Sequence, residues 1–146
     1  MQDVLILCTG NSCRSQMAEA LWNAFGRDRW NAVSAGSNPA GYVHPLAIRV
    51  VGEVEHRGQP LDISSYESKH VDQFTNRAFD LVVTVCDRAK ETCPVFSNAK
   101  TTLHWPFDDP AEATGTDQAR LAEFRRIRDE IQERITKYLD SEQVSS

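Results

Sequence analysis

The chain has 146 residues, of which 40% are hydrophobic and 25% charged, and its formal net charge is −5. This length and balance predict one globular domain spanning residues 1–146, which we expect to be monomeric. The negative charge argues against a nucleic-acid partner, which requires a basic face. An anionic small substrate is still compatible with it, because a local positive field can oppose the net charge.

The earliest apolar run, residues 4–7, is far too short for the core of a signal peptide or for a membrane span. We therefore expect a cytoplasmic protein with no membrane partner. Four cysteines could form two disulfides. A cytosolic chain that builds its own core more often uses cysteines for catalysis, redox chemistry or metal binding, or simply buries them.

Strand-like and helix-like patterns alternate along the chain. In order they are a strand at residues 4–7, a helix at 14–25, a strand at 31–35, a helix at 45–54, a weaker helix at 69–74, strands at 81–85 and 101–105, and a helix at 121–138. Short apolar strands are typical of burial on both faces, and the last helix has one apolar stripe opposite a charged face. This alternation predicts a three-layer α/β fold, in which a four-stranded parallel sheet is flanked by helices.

The predicted helix ends rest on single residues. Gly26 is expected to stop the first helix, and Pro45 suits the first position of the second because its missing N–H costs nothing there. Either Thr114 or Thr116 is expected to cap the last helix. Residues 141–146 are expected to form a frayed tail.

Residues 8–15, Cys-Thr-Gly-Asn-Ser-Cys-Arg-Ser, join the first predicted strand to the first helix. A tight loop at this point directs successive backbone N–H groups inward and forms a nest for an anion, and the helix N-terminus adds roughly half a positive charge. Arg14 can close the ring with a planar contact to two oxygens, and Gly10 is expected to allow a turn that a Cβ would obstruct. The candidate oxyanion-binding residues are Thr9, Gly10, Asn11, Ser12, Cys13 and Arg14.

The same features make Cys8 a candidate nucleophile, because helix N-termini and nearby cations stabilise a thiolate. Ser15 could donate a hydrogen bond to that sulfur. Cys8 could instead be an inert cysteine at a strand end, but the complete loop favours catalysis. A Walker-type loop is excluded because no Gly-Lys-Ser/Thr follows. Cys13 is expected to pack against the core, with oxidative pairing to Cys8 as the alternative.

The spacing Cys-x5-Arg-Ser after a first strand resembles the phosphate loop of low-molecular-weight protein tyrosine phosphatases. The longer string of residues 8–19 resembles the thioredoxin-coupled arsenate reductases that are built on the same phosphatase fold. Further similar segments cover nearly the whole chain: residues 34–36, 61–64, 82–86 and 107–111. The resemblance implies this fold with an N-terminal oxyanion loop, and the activity of an arsenate reductase.

The resemblance also implies an acid that protonates the leaving oxygen. In the family pattern this acid is the aspartate directly before proline, which is Asp109, and Asp108 is expected to support the turn or the backbone that follows it. Taken without the loop, Asp-Asp-Pro is an ordinary solvated turn.

Cys86 ends a predicted strand, and Cys93 follows seven positions later after a polar segment. Taken alone, the two are packing residues or half of a zinc site, although no Cys-x2-Cys or paired histidines complete such a site. The histidines are scattered along the chain at His44, His56, His70 and His104. The resemblance instead assigns Cys86 and Cys93 resolving roles in a redox relay, which a phosphatase does not need.

The catalytic residues implied in this way are Cys8, Arg14, Ser15, Cys86, Cys93 and Asp109. In the implied relay, Cys8 attacks arsenate, Cys86 attacks Cys8 to release arsenite and form a Cys8–Cys86 disulfide, and Cys93 then forms the Cys86–Cys93 disulfide. Bonding requires Cα separations of about 7 Å or less, so the intervening segment must move. Thioredoxin is the implied reductant, and phosphate and sulfate are expected to compete with arsenate.

Two departures from the tyrosine phosphatases accompany this resemblance. Gln16 stands where those enzymes usually have proline, and Ala111 stands where they usually carry an aromatic residue of the substrate wall. No tightly bound cofactor is expected. Some relatives surround a potassium ion with four residues whose types are all present here: Asn11, Glu19, Ser34 and Asp62. A loop brace at Asn11, a helix-face charge at Glu19 and a turn cap at Asp62 are the alternative, and this structural explanation is the favoured one.

Two other classes of function are open at this stage. One is a phosphatase acting on phosphotyrosine or on small phosphomonoesters, which would need the loop and the acid but neither Cys86 nor Cys93. The other is a non-catalytic oxyanion sensor, which would bind anions without turnover.

Overall fold

The computed structural model describes residues 1–87 and 94–145. Its helices and strands, in chain order, are β1 (Gln2–Cys8), α1 (Arg14–Phe25), β2 (Trp30–Gly36), α2 (Pro45–Val51), β3 (Glu55–His56), β4 (Gln59–Pro60), β5 (Phe79–Thr84), β6 (Ala99–His104) and α3 (Asp117–Ser145). The main sheet is parallel with the strand order β2-β1-β5-β6, and β3 and β4 form a separate antiparallel hairpin.

The central strand β1 is buried on both faces, as its unbroken apolar sequence predicts. Successive side chains point to opposite faces of a sheet. Val4 and Ile6 therefore join the larger hydrophobic core, whereas Leu5 and Leu7 join the smaller one.

The larger core lies between the sheet and the helices α1, α2 and α3. Trp22 of α1 and Phe124 of α3 are fully buried there, and each such side chain contributes roughly 1.5–3 kcal/mol to folding. The smaller core is covered by a short 3-10 helix, Val71–Phe74, and by Phe96. Both faces of the sheet are thus covered, and the predicted three-layer α/β fold is confirmed.

The last helix extends beyond the predicted residues 121–138 at both ends, and its cap is one of the two predicted threonines. Thr116 caps it, since its side-chain oxygen accepts a hydrogen bond from the Ala119 N–H at 3.1 Å. The expected frayed tail is wrong for residues 141–145, which continue α3. Glu142 explains part of this extension, because its carboxylate accepts a 2.7 Å hydrogen bond from the Trp30 indole and lies 3.9 Å from Arg29.

Two weaker predictions also required correction. The second helix stops at Val51, and the chain enters the β3–β4 hairpin at a turn where Arg57 and Gly58 both have positive φ angles, of 55° and 80°. The helix predicted at residues 69–74 is only one 3-10 turn. Its first residues pair instead with the end of β2, where Lys69 accepts a hydrogen bond from the Gly36 N–H.

None of the described helices is long and apolar enough to cross a membrane.

Candidate active site

The residues with predicted chemical roles meet at the carboxyl edge of the sheet. Leu7 pairs with Thr84, so Cys8 at the end of β1 and Cys86 two residues after β5 lie at the ends of neighbouring strands, which are about 4.8 Å apart in a parallel sheet. The segment that follows β6 continues to pair with the segment that follows β5, because the Phe107 N–H donates to Val85 O at 3.3 Å. That bond carries the following aspartates to the same edge.

The loop at residues 8–15 is built around Asn11, which is fully buried and has a φ angle of 46°. Its side-chain amide donates to Ser15 Oγ at 2.8 Å and to Ser34 Oγ at 2.9 Å. Its side-chain oxygen accepts from the Lys69 N–H at 2.7 Å and from Gln16 Nε2 at 2.9 Å. One side chain therefore ties the loop to α1, to β2 and to the segment that covers the smaller core.

Two donors converge on the sulfur of Cys8. The Asn11 N–H lies 3.3 Å from Cys8 Sγ, and Ser15 Oγ lies 2.8 Å from it. Because Ser15 Oγ already accepts from the Asn11 amide, its own hydroxyl proton is left to point at the sulfur. Hydrogen bonds to the charged form of a group stabilise that form, so this geometry supports a thiolate.

The glycine that the loop requires is Gly36 at the end of β2, and the reason predicted for Gly10 is wrong. A Cβ on Gly36 would lie 2.4 Å from Thr9 O and 3.0 Å from Asn11 N, distances that the neighbouring backbone cannot accommodate. A Cβ on Gly10 would lie 3.9 Å from the Ala40 side chain, an ordinary contact. The left-handed residue of the loop is Asn11, a residue type that tolerates such a conformation.

Arg14 begins α1 with a guanidinium that is almost completely buried. Its Nη1 donates to Phe107 O at 3.1 Å, and its Nη2 lies 3.7 Å from Asp109 Oδ2. Arg14 therefore contacts the segment that follows β6, and these contacts join the loop to the predicted acid.

Asp109 is at the turn that precedes a short 3-10 helix, Pro110–Glu112. Its Oδ1 accepts a hydrogen bond from the Ala111 N–H at 3.0 Å, and its side chain is 27% exposed. Asp108 points away to the surface and pairs with Arg126 of α3 at 3.2 Å, which fits its predicted role in supporting the turn.

The loop and the acid line one cavity of about 200 Å³. The residues that line it are Cys8, Gly10, Ser12, Cys13, Arg14, Ala40, Tyr42, His44, Asp109 and Ala111. Thr9, Asn11 and Ser15, which the sequence also placed at this site, are not among the residues that line the cavity. Ser12 lines the cavity, and its Oγ is buried without a hydrogen-bond partner among the described residues. A small polar cavity with a nucleophile at its base, a buried cation and an acid suits attack on a tetrahedral oxyanion.

Cys13 lines the cavity but is not prepared to react. Burial raises the pKa of its thiol far above the usual value, and the negative charges of Asp109 and Cys8 raise it further. Cys13 also belongs to the larger hydrophobic core, as expected, and both it and Cys8 are free thiols.

Cys86 is fully buried directly after β5 and is disulfide-bonded in this structure. Cys93, the other predicted relay residue, lies outside the described residues. The predicted redox roles of the two cysteines therefore stay predictions. The strand register does bring Cys86 to the same edge of the sheet as Cys8.

Three of the four residues named for a potassium site are joined by hydrogen bonds. Asn11 donates to Ser34, and Ser34 Oγ donates to Glu19 Oε1 at 2.8 Å. Burial raises the pKa of Glu19, and the Lys69 ammonium, 3.7 Å away, opposes that shift. Asp62 instead is exposed and accepts from the Ser64 N–H. Asn11, Ser34 and Glu19 thus bond one another and Lys69, whereas Asp62 bonds within its own turn, and the potassium site stays a prediction.

Sequence reasoning missed two side chains that contribute to the site. Gln16 is fully buried, and its amide nitrogen lies within hydrogen-bonding distance of Asn11 O and Glu67 O, which braces the loop. His44 lines the cavity from the N-cap of α2. The signal for His44 was its position directly before Pro45, which marks the start of a helix.

The chain matches the low molecular weight phosphotyrosine protein phosphatase family over residues 3–146 and belongs to that family. An arsenate reductase of Halalkalibacterium halodurans is 44% identical to it over 138 residues, covering 94% of this chain and 95% of the relative. The resemblance identified from the loop is thereby confirmed.

Two solved structures are similar to the whole chain. An arsenate reductase in the phosphate-binding state has a TM-score of 0.79 and 28% identity, covering 97% of this chain and 98% of the other. A thioredoxin-dependent arsenate reductase from Corynebacterium glutamicum has a TM-score of 0.71 and 29% identity, covering 100% of this chain and 64% of that one.

Proposed function

We propose that this protein is an arsenate reductase that converts arsenate to arsenite through the thiols of Cys8, Cys86 and Cys93 and is regenerated by thioredoxin. The observation that carries this proposal is the position of Cys86, which follows the strand adjacent to Cys8 at the same edge of the sheet. The activity named for the relatives is the same.

The substrate is held by the loop before any chemistry occurs. Backbone N–H groups of the loop, the free hydroxyl of Ser12 and the guanidinium of Arg14 bind the oxygens of the anion over Cys8 Sγ. Because phosphate and sulfate are tetrahedral oxyanions too, both are expected to compete for this site.

The first step forms a bond between Cys8 Sγ and arsenic. The Cys8 thiolate attacks arsenate, one As–O bond breaks, and the proton of Asp109 leaves with that oxygen as water. Asp109 is the residue for this role because it lines the cavity close to Arg14. Arsenic is still pentavalent in the resulting adduct.

The second step is the reduction. The Cys86 thiolate attacks Cys8 Sγ and forms a Cys8–Cys86 disulfide, while the electron pair of the S–As bond stays on arsenic, which leaves as trivalent arsenite. Cys93 then attacks Cys86, so that Cys8 is released as a thiolate and a Cys86–Cys93 disulfide is formed. Two thiols have supplied the two electrons.

The last disulfide must be reduced by an external dithiol before the next turnover. The support for thioredoxin is the thioredoxin-dependent arsenate reductase among the structural neighbours. Thioredoxin returns both electrons by thiol–disulfide exchange, which needs no metal or bound cofactor.

The test is arsenate-dependent consumption of NADPH in the presence of thioredoxin and thioredoxin reductase. We expect sustained turnover by the wild type and its loss in Cys86→Ser and in Cys93→Ser, whereas Ser141→Ala, on the exposed face of α3, retains it. The absence of turnover by the wild type with all components present would contradict the proposal. Phosphate-ester hydrolysis that persists at full rate in Cys86→Ser would instead identify a phosphatase.

A further inference from the structure

His44 has a tautomer that the backbone selects. It is the N-cap residue of α2, and its Nδ1 accepts a hydrogen bond from the Leu46 N–H at 3.1 Å. A ring nitrogen that accepts a hydrogen bond carries no proton, so the neutral ring carries its proton on Nε2. The cap therefore makes Nε2 a donor.

The surroundings of His44 keep its ring neutral and fixed in position. Its ring lies 4.8 Å from the ring of Phe124, between centroids, which limits its rotation. Burial lowers the pKa of His44, the positive charge of Arg120 lowers it further, and the negative charge of Asp109 opposes them. A charged imidazolium would also need a proton on Nδ1 and would lose the bond from Leu46.

His44 lines the cavity above Cys8, together with Arg14 and Asp109. An oxyanion bound over the sulfur has its inner oxygens on the loop and at least one oxygen directed away from it. A neutral N–H donor in the cavity wall suits that outer oxygen, because it stabilises the charge without requiring a second buried cation.

We propose that His44 is a substrate-binding residue that donates a hydrogen bond from Nε2 to the outer oxygen of the tetrahedral oxyanion bound over Cys8. This assignment rests on the proposed function only for the identity of the anion, since phosphate offers the same oxygens as arsenate. His44 then determines how the anion is oriented toward Asp109.

His70 provides an internal comparison. Its Nδ1 accepts a hydrogen bond from the Asp72 N–H at 3.0 Å and caps the 3-10 helix Val71–Phe74 in the same way. Its side chain is 43% exposed, and it is not among the residues that line the cavity. A histidine cap by itself is thus a local structural feature, and only His44 combines it with access to the site.

Two substitutions separate the cap from the donor. His44→Asn places an acceptor where Nδ1 is and removes the group at Nε2, so it retains the cap and loses the donor. His44→Gln places an amide N–H near the position of Nε2 and gives up the cap. His70→Asn is the matched control, because it alters an equivalent cap outside the cavity.

The experiment measures how inorganic phosphate protects Cys8 from alkylation by iodoacetamide, with the Cys8 peptide quantified by mass spectrometry in the fully reduced protein. We expect the phosphate concentration for half-protection to rise on the order of ten-fold in His44→Asn, with an unchanged thermal midpoint. His44→Gln should protect nearly as the wild type does, at a lower thermal midpoint. His70→Asn should protect like the wild type.

Wild-type protection in His44→Asn would overturn the proposal, and so would equal weakening in His44→Asn and His44→Gln. Because this readout uses phosphate and needs no reductant, it is independent of the proposed reaction. A wild type that binds phosphate but never reduces arsenate would contradict the proposed function and leave the role of His44 standing.

Discussion

The two halves of the site, the loop at residues 8–15 and the turn at Asp109, are held in very different ways. In the loop, the side chain of Asn11 alone makes hydrogen bonds to four other residues, and it is inaccessible to solvent. In the turn, the side chain of Asp109 is partly exposed, and within residues 1–87 and 94–145 its partners are the nearby Ala111 N–H and, through charge, Arg14.

The loop and the turn are held differently because the loop binds the anion and the turn supplies the acid. Anion binding requires donors that are already in position before the substrate arrives, because preorganised groups stabilise charge without reorganising. An acid must exchange its proton with water once in each cycle, so partial exposure suits it. Substitutions in the turn should therefore change the rate and spare the fold, whereas substitutions that crowd the loop should change both.

Asp109→Asn gives the largest expected effect and tests the turn. The asparagine retains the cap to the Ala111 N–H but has no proton to donate, so we expect kcat for arsenate to fall roughly 10²–10⁴-fold. The thermal midpoint should stay close to that of the wild type. Steady-state kinetics and a thermal melt measure both, with Asp108→Asn as the control that retains most of the rate. A wild-type kcat in Asp109→Asn would remove this residue from the mechanism.

Gly36→Ala tests the loop. The added methyl group would lie 2.4 Å from Thr9 O, so the loop must shift, at an expected cost of about 1–3 kcal/mol in the free energy of unfolding and with weaker phosphate binding. Gly10→Ala is the matched control, because its methyl group meets only Ala40 at an ordinary distance. Chemical denaturation of both variants measures the difference in their free energy of unfolding. Equal stability of the two would show that the close approach at Gly36 is not a constraint.

Arg126→Ala tests whether the surface supports the turn. Arg126 pairs with Asp108, Glu123 and Glu130, all partly exposed, and such pairs contribute about 1 kcal/mol or less. We expect a loss of stability within that limit and a decrease in kcat of no more than a few-fold. A double-mutant cycle with Asp108→Asn measures the coupling. A coupling of several kcal/mol would mean that the turn is held as firmly as the loop.

Glu53 gives the smallest expected effect and a baseline remote from both regions. Hydrogen bonds from Arg125, and then from Arg128, lower the pKa of Glu53 to about 2. A lowered pKa means stability that is fully present above the unfolded value near 4.5 and is lost as the pH falls through about 2. Glu53→Gln should thus be less stable than the wild type at pH 7, by no more than about 1 kcal/mol for a surface pair. The difference should disappear near pH 2, and a difference that grows with acid would reverse this interpretation.

Local signals were sufficient to predict much of the site. Cys8, Arg14 and Ser15 belong to one continuous loop between a strand and a helix, and the structure brings Ser15 to the sulfur as expected. The four strands of the main sheet could be predicted because each contains a short strand-like run of residues. Thr116 was one of two predicted caps because helix caps have a sequence signature.

Long-range contacts explain what the sequence could not reveal. The need for Gly36 arises from backbone 27 residues earlier in the chain, at Thr9, and the predicted constraint was placed on Gly10 instead. His44 reaches the cavity only because α2 packs against α3. The extension of α3 likewise depends on Trp30, which lies 112 residues before its partner.

The most direct test of the relay is a single turnover without any external reductant. Fully reduced enzyme is mixed with excess arsenate, and the arsenite released per enzyme is counted. We expect one arsenite per molecule for Cys93→Ser, because Cys86 can still resolve the adduct on Cys8, and none for Cys86→Ser, although both variants bind phosphate. Stoichiometric release of arsenite by Cys86→Ser would contradict it.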